Sequence, residues 1–257
     1  MKLCSFPLID THAHLCDSIF DGDRSDILKR ARSTGIEKII SVSEDLADAK
    51  RNLDLARQFP LIKPAAGLYP SNLDLDKAQE LIDFIRRDQP NLVAIGEVGL
   101  DYWIVKEESK REIQKHIFEL FIDLSIELDL PLNVHSRSAG RHVISMLLDK
   151  GAKKVQLHAF DGKSGFALPA VESGYYFSIP PSIIRSRQKQ KLVKRLPLSS
   201  ILLETDSPVL GPIPNERNEP ANITFTIEAI SEIKNLEKSE IIEKIYYNTI
   251  DLYGSHL

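Results

Sequence analysis

The chain has 257 residues, 42% hydrophobic and 27% charged, with a formal net charge of −4. That balance is ordinary for a globular protein, and it leaves no overall basic field to hold a polyanion, so any such substrate must be drawn by local groups or metal ions. No apolar run approaches the roughly 20 residues of a membrane span, and the two cysteines, Cys4 and Cys16, supply neither a disulfide framework nor a CxxC site.

In chain order, short apolar runs alternate with helical patterns. The N-terminal residues carry one lysine and no long apolar stretch before the first strand. No signal peptide is expected there, and the expected address is the cytosol, with the nucleus also open. Strands are expected at 7–10, 38–42, 62–67, 92–97, 132–135, 154–158, 175–179 and 201–204. Most are rich in Val, Ile and Leu without strict polar alternation, as in a parallel sheet covered on both faces. Helices are expected at 24–33, 46–59, 75–88, 107–128, 141–150, 166–173, 184–196, 223–235 and 239–252, from apolar residues at spacings of three and four. Gly35, Gly151 and Gly174 fall just past helix ends. Ser239 is the expected cap of the last helix. The alternation predicts an α/β fold of the (β/α)8 TIM-barrel type, one domain over 1–257. An open doubly wound sheet is the second choice, and no GxGxxG or GxxxxGKS motif follows the first strand to support a nucleotide-binding form.

A barrel of this kind carries its site at the carboxyl ends of the strands. His12 and His14 lie at the end of strand one, Glu97 at strand four, His135 at strand five, His158 at strand six, and Asp206 just past strand eight. The other histidines, His116, His142 and His256, fall in helical patterns or near the C-terminus and are read as surface or packing residues. One histidine after a strand is usually just hydrogen-bonded, but this conjunction on one rim predicts a binuclear metal site. A nitrogen and oxygen donor set without thiolate suits Zn²⁺, Mn²⁺, Mg²⁺ or Co²⁺. Glu97 could bridge two ions through its two oxygens, and Asp206 could ligate one ion and accept a proton from a metal-bound water.

The stretches Asp10-Thr11-His12-Ala13-His14, Gly96-Glu97-Val98-Gly99-Leu100-Asp101-Tyr102, His135-Ser136-Arg137, His158-Ala159-Phe160, Glu204-Thr205-Asp206-Ser207-Pro208 and Arg217-Asn218-Glu219-Pro220 run through nearly the whole chain, with Gln114 and Phe118 between them. In these residues the chain resembles the TatD family of metal-dependent deoxyribonucleases. Within it, the runs from Asn133 to Gly140 and from Phe177 to Ser186 are most similar to the branch called TatD domain-containing protein 3. The resemblance implies two divalent ions (Mg, Mn or Zn), one held by His12, His14 and Asp206, the other by His135 and His158, with Glu97 bridging. It implies a DNA substrate, single-stranded or at ends, cut by a metal-bound hydroxide, often as a 3′ exonuclease. A monomer with no membrane partner is expected. Ala159 departs from the cysteine common after the strand-six histidine, which should alter the pocket wall without removing a ligand.

Further residues are candidates around this set. Arg137, two past His135, should face the same way and meet a phosphate. Tyr102 and Trp103 could stack on a base, and Arg217 could bind phosphate from the last loop. Asp101 is expected to orient a histidine, and Glu204 to support Asp206. The six basic residues between Arg185 and Arg195 are read as the solvated face of a helix. Two other functions remain open: hydrolysis of another ester or an amide, since fold does not fix substrate, and a non-catalytic DNA-binding or scaffold role. Related amide and ester hydrolases often bridge their metals with a modified lysine, where Glu97 stands here. A non-catalytic protein should have lost ligands or gained a basic face.

Overall fold

The structure, a computed structural model, describes residues 6–254 and 256–257. Cys4 and the start of the chain expected to lack a signal peptide lie outside the described residues. Eight strands form one parallel sheet in sequence order: β1 (Leu8–Ala13), β2 (Ile36–Ser41), β3 (Ile62–Ala66), β4 (Ala94–Gly99), β5 (Leu132–His135), β6 (Val155–Leu157), β7 (Tyr176–Ile179) and β8 (Ile201–Leu203). β1 and β8 meet through the Thr11 hydroxyl, which donates to the Leu203 carbonyl at 2.8 Å, and through the Asp206 N–H, which donates to the His12 carbonyl at 2.8 Å. Asp10 reinforces this seam, its carboxylate accepting from the Thr205 N–H at 2.9 Å and hydroxyl at 2.6 Å. The expected barrel is therefore present, nearly closed.

The helices α1 (Arg24–Ser33), α2 (Leu46–Gln58), α3 (Leu75–Asp88), α4 (Glu108–Leu128), α5 (Gly140–Lys150), α6 (Leu168–Glu172), α7 (Arg187–Arg195), α8 (Ile223–Lys234) and α9 (Lys238–Tyr253) surround the sheet. Their apolar stripes meet the outer faces of the strands in one continuous core that includes Phe118, Phe121, Phe160 and Phe177. Truncating Phe121, which is fully buried, should cost about 3–5 kcal/mol through lost burial and a residual cavity. Asp45, Asp74 and Ser186 cap α2, α3 and α7 through their side chains. Gly35, Gly151 and Gly174 hold left-handed backbone with φ of +98°, +72° and +81°, as expected just past helix ends.

Three expectations need adjusting. The cap of α9 is Glu237, in a reciprocal capping box with Glu240, rather than Ser239. The 166–173 segment is split, because a 3-10 turn (Ser164–Ala167) precedes α6 and Pro169 sits in the first turn of that short helix. The 184–196 segment is split as well: a 3-10 turn (Pro181–Ile184) ends before Ser186 opens α7. Among the described residues no helix is long and apolar enough to cross a membrane.

Candidate metal centre

The site is built at the carboxyl ends of the strands, and local backbone chemistry explains the motifs there. Gly99 has φ +147°, and a Cβ on it would lie 2.0 Å from the His135 carbonyl oxygen. Only glycine lets β4 pass this close to β5 where both deliver candidate ligands. Asp206 holds left-handed backbone at φ +55°. That conformation is uncommon for a residue with a side chain, but aspartate tolerates it better than most, and here it turns the carboxylate inward from the end of β8. β1 continues to Ala13, so His12 lies inside the strand rather than just beyond it.

The six expected ligands converge. His12, Glu97, Asp206, His135, His158 and His14 are all buried, none more than 9% exposed. His12 Nε2 and His14 Nε2 stand 3.2 Å apart. Each lies 3.4 Å from Asp206 Oδ1, and His14 Nε2 is 3.5 Å from Glu97 Oε2. Glu97 turns its other oxygen, Oε1, to His135 Nδ1 at 2.5 Å and to His158 Nε2 at 2.7 Å. Glu97 thus offers one oxygen to each group of histidines. Donors bound to one ion at about 2.0–2.2 Å stand roughly 3–3.5 Å from each other, so the spacing of the first group fits a shared ion.

The surrounding residues fix which nitrogens face inward. The Asn133 side-chain N–H donates to the Thr11 carbonyl at 2.8 Å, so its oxygen must face His12 Nδ1, also at 2.8 Å. His12 Nδ1 therefore carries the hydrogen and Nε2 is left as the donor atom. Asp101 does the same for His135, lying 3.2 Å from Nε2, as expected. Glu204, expected to support Asp206, stands behind His158 instead: its Oε2 accepts from the Ser178 hydroxyl at 2.5 Å and lies 3.7 Å from His158 Nδ1, close enough for charge but too far for a hydrogen bond. The Ala159 N–H donates to Glu204 Oε1 at 2.9 Å, which orients the carboxylate this way.

The crowded charges shift each other. Burial alone would keep Glu97 protonated, but His158 and His135 outweigh it and hold the carboxyl well below the usual carboxylate range. Burial opposes charge on His14 too, yet Asp206 and Glu97 push it up to about 9. His158 is raised well above the usual imidazole value against its burial, chiefly by Glu97 and Glu204. Asp206 is lowered despite burial by its contacts with His12 and His14.

Other expected residues land differently. Tyr102, expected to meet substrate, is packed inside its loop at 8% exposure, with the Arg111 guanidinium 4.3 Å from its ring centroid and His142 against it. Its neighbour Trp103 takes the exposed position, at 54%. Arg217 anchors its loop: it donates to Asp23 Oδ1 at 2.9 Å and to the Ile19 carbonyl at 3.0 Å, away from the ligand cluster. Arg137 is exposed at the rim. Lys189, in the stretch read as a solvated face, is buried, and its Nζ donates to the Ala159 carbonyl at 2.9 Å.

Sequence reasoning passed over Asn133 and Gln156 as site residues, and Glu44, which lies 3.8 Å from His14 Nδ1. A signal for the first two existed: each stands two residues before a ligand histidine, in the midst of an apolar strand, and so shares its inward face. Tyr253 gave no such signal. Its buried hydroxyl donates to Gln156 Oε1 at 2.7 Å from the last turn of α9.

With this geometry established, similarity to known proteins decides the lineage. Residues 9–254 match the family model described as TatD related DNase. The chain belongs to that family. It is 40% identical over 265 residues to the human protein named deoxyribonuclease TATDN3, covering 98% of this chain and 97% of that one. It is 32% identical to the uncharacterized metal-dependent hydrolase YabD of Bacillus subtilis, over 91% and 94% of the two chains. The crystal structure of the Escherichia coli TatD homolog YJJV superposes with a TM-score of 0.88 at 27% identity, covering 96% of this chain and 98% of that chain. Like other TatD-family proteins, this one is a metal-dependent hydrolase, and the buried side chains described above are its candidate metal ligands.

Proposed function

We propose that the protein cleaves phosphodiester bonds in DNA, chiefly in single strands or at ends, with two divalent ions held across Glu97. The observation that carries this reading is the division of Glu97 between its two histidine groups, Oε2 toward His14 and Oε1 toward His135 and His158. DNA as the substrate class is supported by the names of the relatives in the TATDN3 branch, the human protein among them.

His12, His14 and Asp206 would hold one ion and His135 and His158 the other, with Glu97 between them. Bound ions would lower the pKa of water and polarise the phosphoryl group. The protein's own part is positional and protonic. Asn133 and Asp101 lock the histidine rings, Asp206 accepts the proton lost by the attacking water, and Arg137 offsets phosphate charge from the rim. Contacts with His12 and His14 keep Asp206 ionised, which suits it as a metal ligand, and its place beside both histidines puts it within reach of a water on that ion. Burial of the cluster excludes bulk water and strengthens each of these interactions.

Incubation of the purified protein with labelled single-stranded DNA and Mg²⁺, Mn²⁺ or Zn²⁺ tests the reading. Progressive shortening of the strand, abolished by chelation, is the expected result. A strand left intact by protein that demonstrably binds metal contradicts it, and a panel of other ester and amide substrates then becomes the next measurement.

A further inference from the structure

We propose that Trp103 and Arg137 form a nucleobase-stacking subsite on the rim, holding the base beside the phosphodiester that faces Glu97. The proposal rests on the DNA-cleaving reading above and deepens it by assigning the group that grips an unpaired base. Trp103 is the single tryptophan of the chain, and its indole is 54% exposed. Its position is not free. The Trp103 N–H donates to Asp101 Oδ1 at 2.9 Å, while Asp101 Oδ2 lies 3.2 Å from His135 Nε2. One carboxylate therefore orients a ligand histidine and fixes the turn that carries the indole.

The second component comes from the neighbouring strand. Arg137 follows His135 by two residues, and its guanidinium carbon stands 3.8 Å from the Trp103 ring centroid. The Tyr102 N–H donates to the Arg137 carbonyl at 3.0 Å, which binds the two loops together. Lys106 places its ammonium 5.8 Å from the same ring. Among the described residues no carboxylate pairs with Arg137 or Lys106. Neighbouring arginines behave otherwise: Arg111 finds Glu108 and Arg217 finds Asp23. Two uncompensated cations thus flank an exposed aromatic plane beside the ligand cluster.

This combination suits a nucleotide. A base offers a flat π-surface of any sequence to the indole, and the adjoining phosphate meets the edge of the guanidinium whose face already lies on the ring. Stacking of this kind contributes about 1–3 kcal/mol per base, a change of roughly 5- to 150-fold in affinity. It also favours single strands, because a base within a duplex has no free face to give.

The lone tryptophan makes the test direct, since emission reports on Trp103 alone. Asp206→Asn protein with Mg²⁺ is titrated with a short oligothymidylate and with an abasic deoxyribose-phosphate strand of equal length. The base-bearing strand should quench the emission and the abasic strand should not. By anisotropy of a labelled strand, Trp103→Ala should bind the oligothymidylate about tenfold more weakly, and Trp103→Phe should recover most of that loss. Arg137→Ala should weaken binding and lower the salt dependence by about one phosphate contact. Unchanged emission, while wild-type protein still cuts the same strand, overturns the subsite and leaves the nuclease reading standing. Equal quenching by the abasic strand also overturns it, because the contact is then to the backbone. Selective quenching by a strand that wild-type protein leaves uncut supports the subsite and removes the nuclease reading instead.

Discussion

The two halves of the ligand cluster differ more than their shared carboxylate suggests. Around Glu97 Oε2, His12, His14 and Asp206 stand 3.2–3.5 Å from their neighbours, with the neutral amide of Asn133 behind His12 and the half-exposed Glu44 carboxylate 3.8 Å from His14 Nδ1. Around Glu97 Oε1, His135 and His158 close to 2.5 and 2.7 Å, and carboxylates stand behind both rings, Asp101 at 3.2 Å and Glu204 at 3.7 Å. The first group is spaced as donors around an ion are. The second is drawn together by charge-assisted hydrogen bonds that a metal would have to replace. A carboxylate behind an imidazole raises its basicity, and the second group, which lacks a direct acidic ligand like Asp206, has one behind each of its histidines.

Breaking the shared member should have the largest effect. Glu97→Ala removes a ligand from both halves, and metal analysis should show fewer than two ions per chain together with loss of turnover. A variant that keeps both ions and its activity would remove Glu97 from its bridging role. Asp206→Asn should lower the turnover number by about 10²–10⁴-fold, as loss of a general base does, with a weaker effect on the His135–His158 side.

Smaller changes sharpen the contrast. Asp101→Asn and Asn133→Ala should each weaken metal binding by about 10–100-fold, the first mainly at the second group and the second mainly at the first. Calorimetric titration that finds both variants weakened at the same ion would erase the distinction. The protons provide another measurement. With its pKa raised to about 9, His14 is protonated at neutral pH in the metal-free protein, and Glu97 and Glu204 raise His158 in the same direction against its burial. Metal must displace those protons, so loading at pH 7 should acidify a weakly buffered solution, and affinity should climb with pH until about 9. The smallest effect is expected from Arg217→Ala, which breaks an exposed pair with Asp23. It should shift Tm slightly and leave metal binding as it was.

Much of this was legible in the residues, and the limits have physical causes. The strands announced themselves because both faces are covered, leaving nearly unbroken apolar runs. The convergence of His12, His14, Glu97, His135, His158 and Asp206 was legible because a barrel directs strand ends to one rim. Side-chain direction was harder. Nothing in the order Tyr102-Trp103 tells which ring packs under Arg111 and which faces outward, since loops have no periodicity. Glu204 stands two residues before Asp206 yet turns to His158, because Ser178 and the Ala159 N–H hold it there. Lys189 sits in a strongly basic run, but the helix turns that one side chain inward to the Ala159 carbonyl. Tyr253 reaches Gln156 across 97 positions of sequence, a contact only the folded barrel creates.

The division of Glu97 between two ions is the central claim, and an anomalous-scattering map of crystals grown with Mn²⁺ tests it most directly. Two peaks are predicted, both touching Glu97, one bounded by His12, His14 and Asp206 and the other by His135 and His158. A single peak at full occupancy, or a second one away from Glu97, would contradict the account.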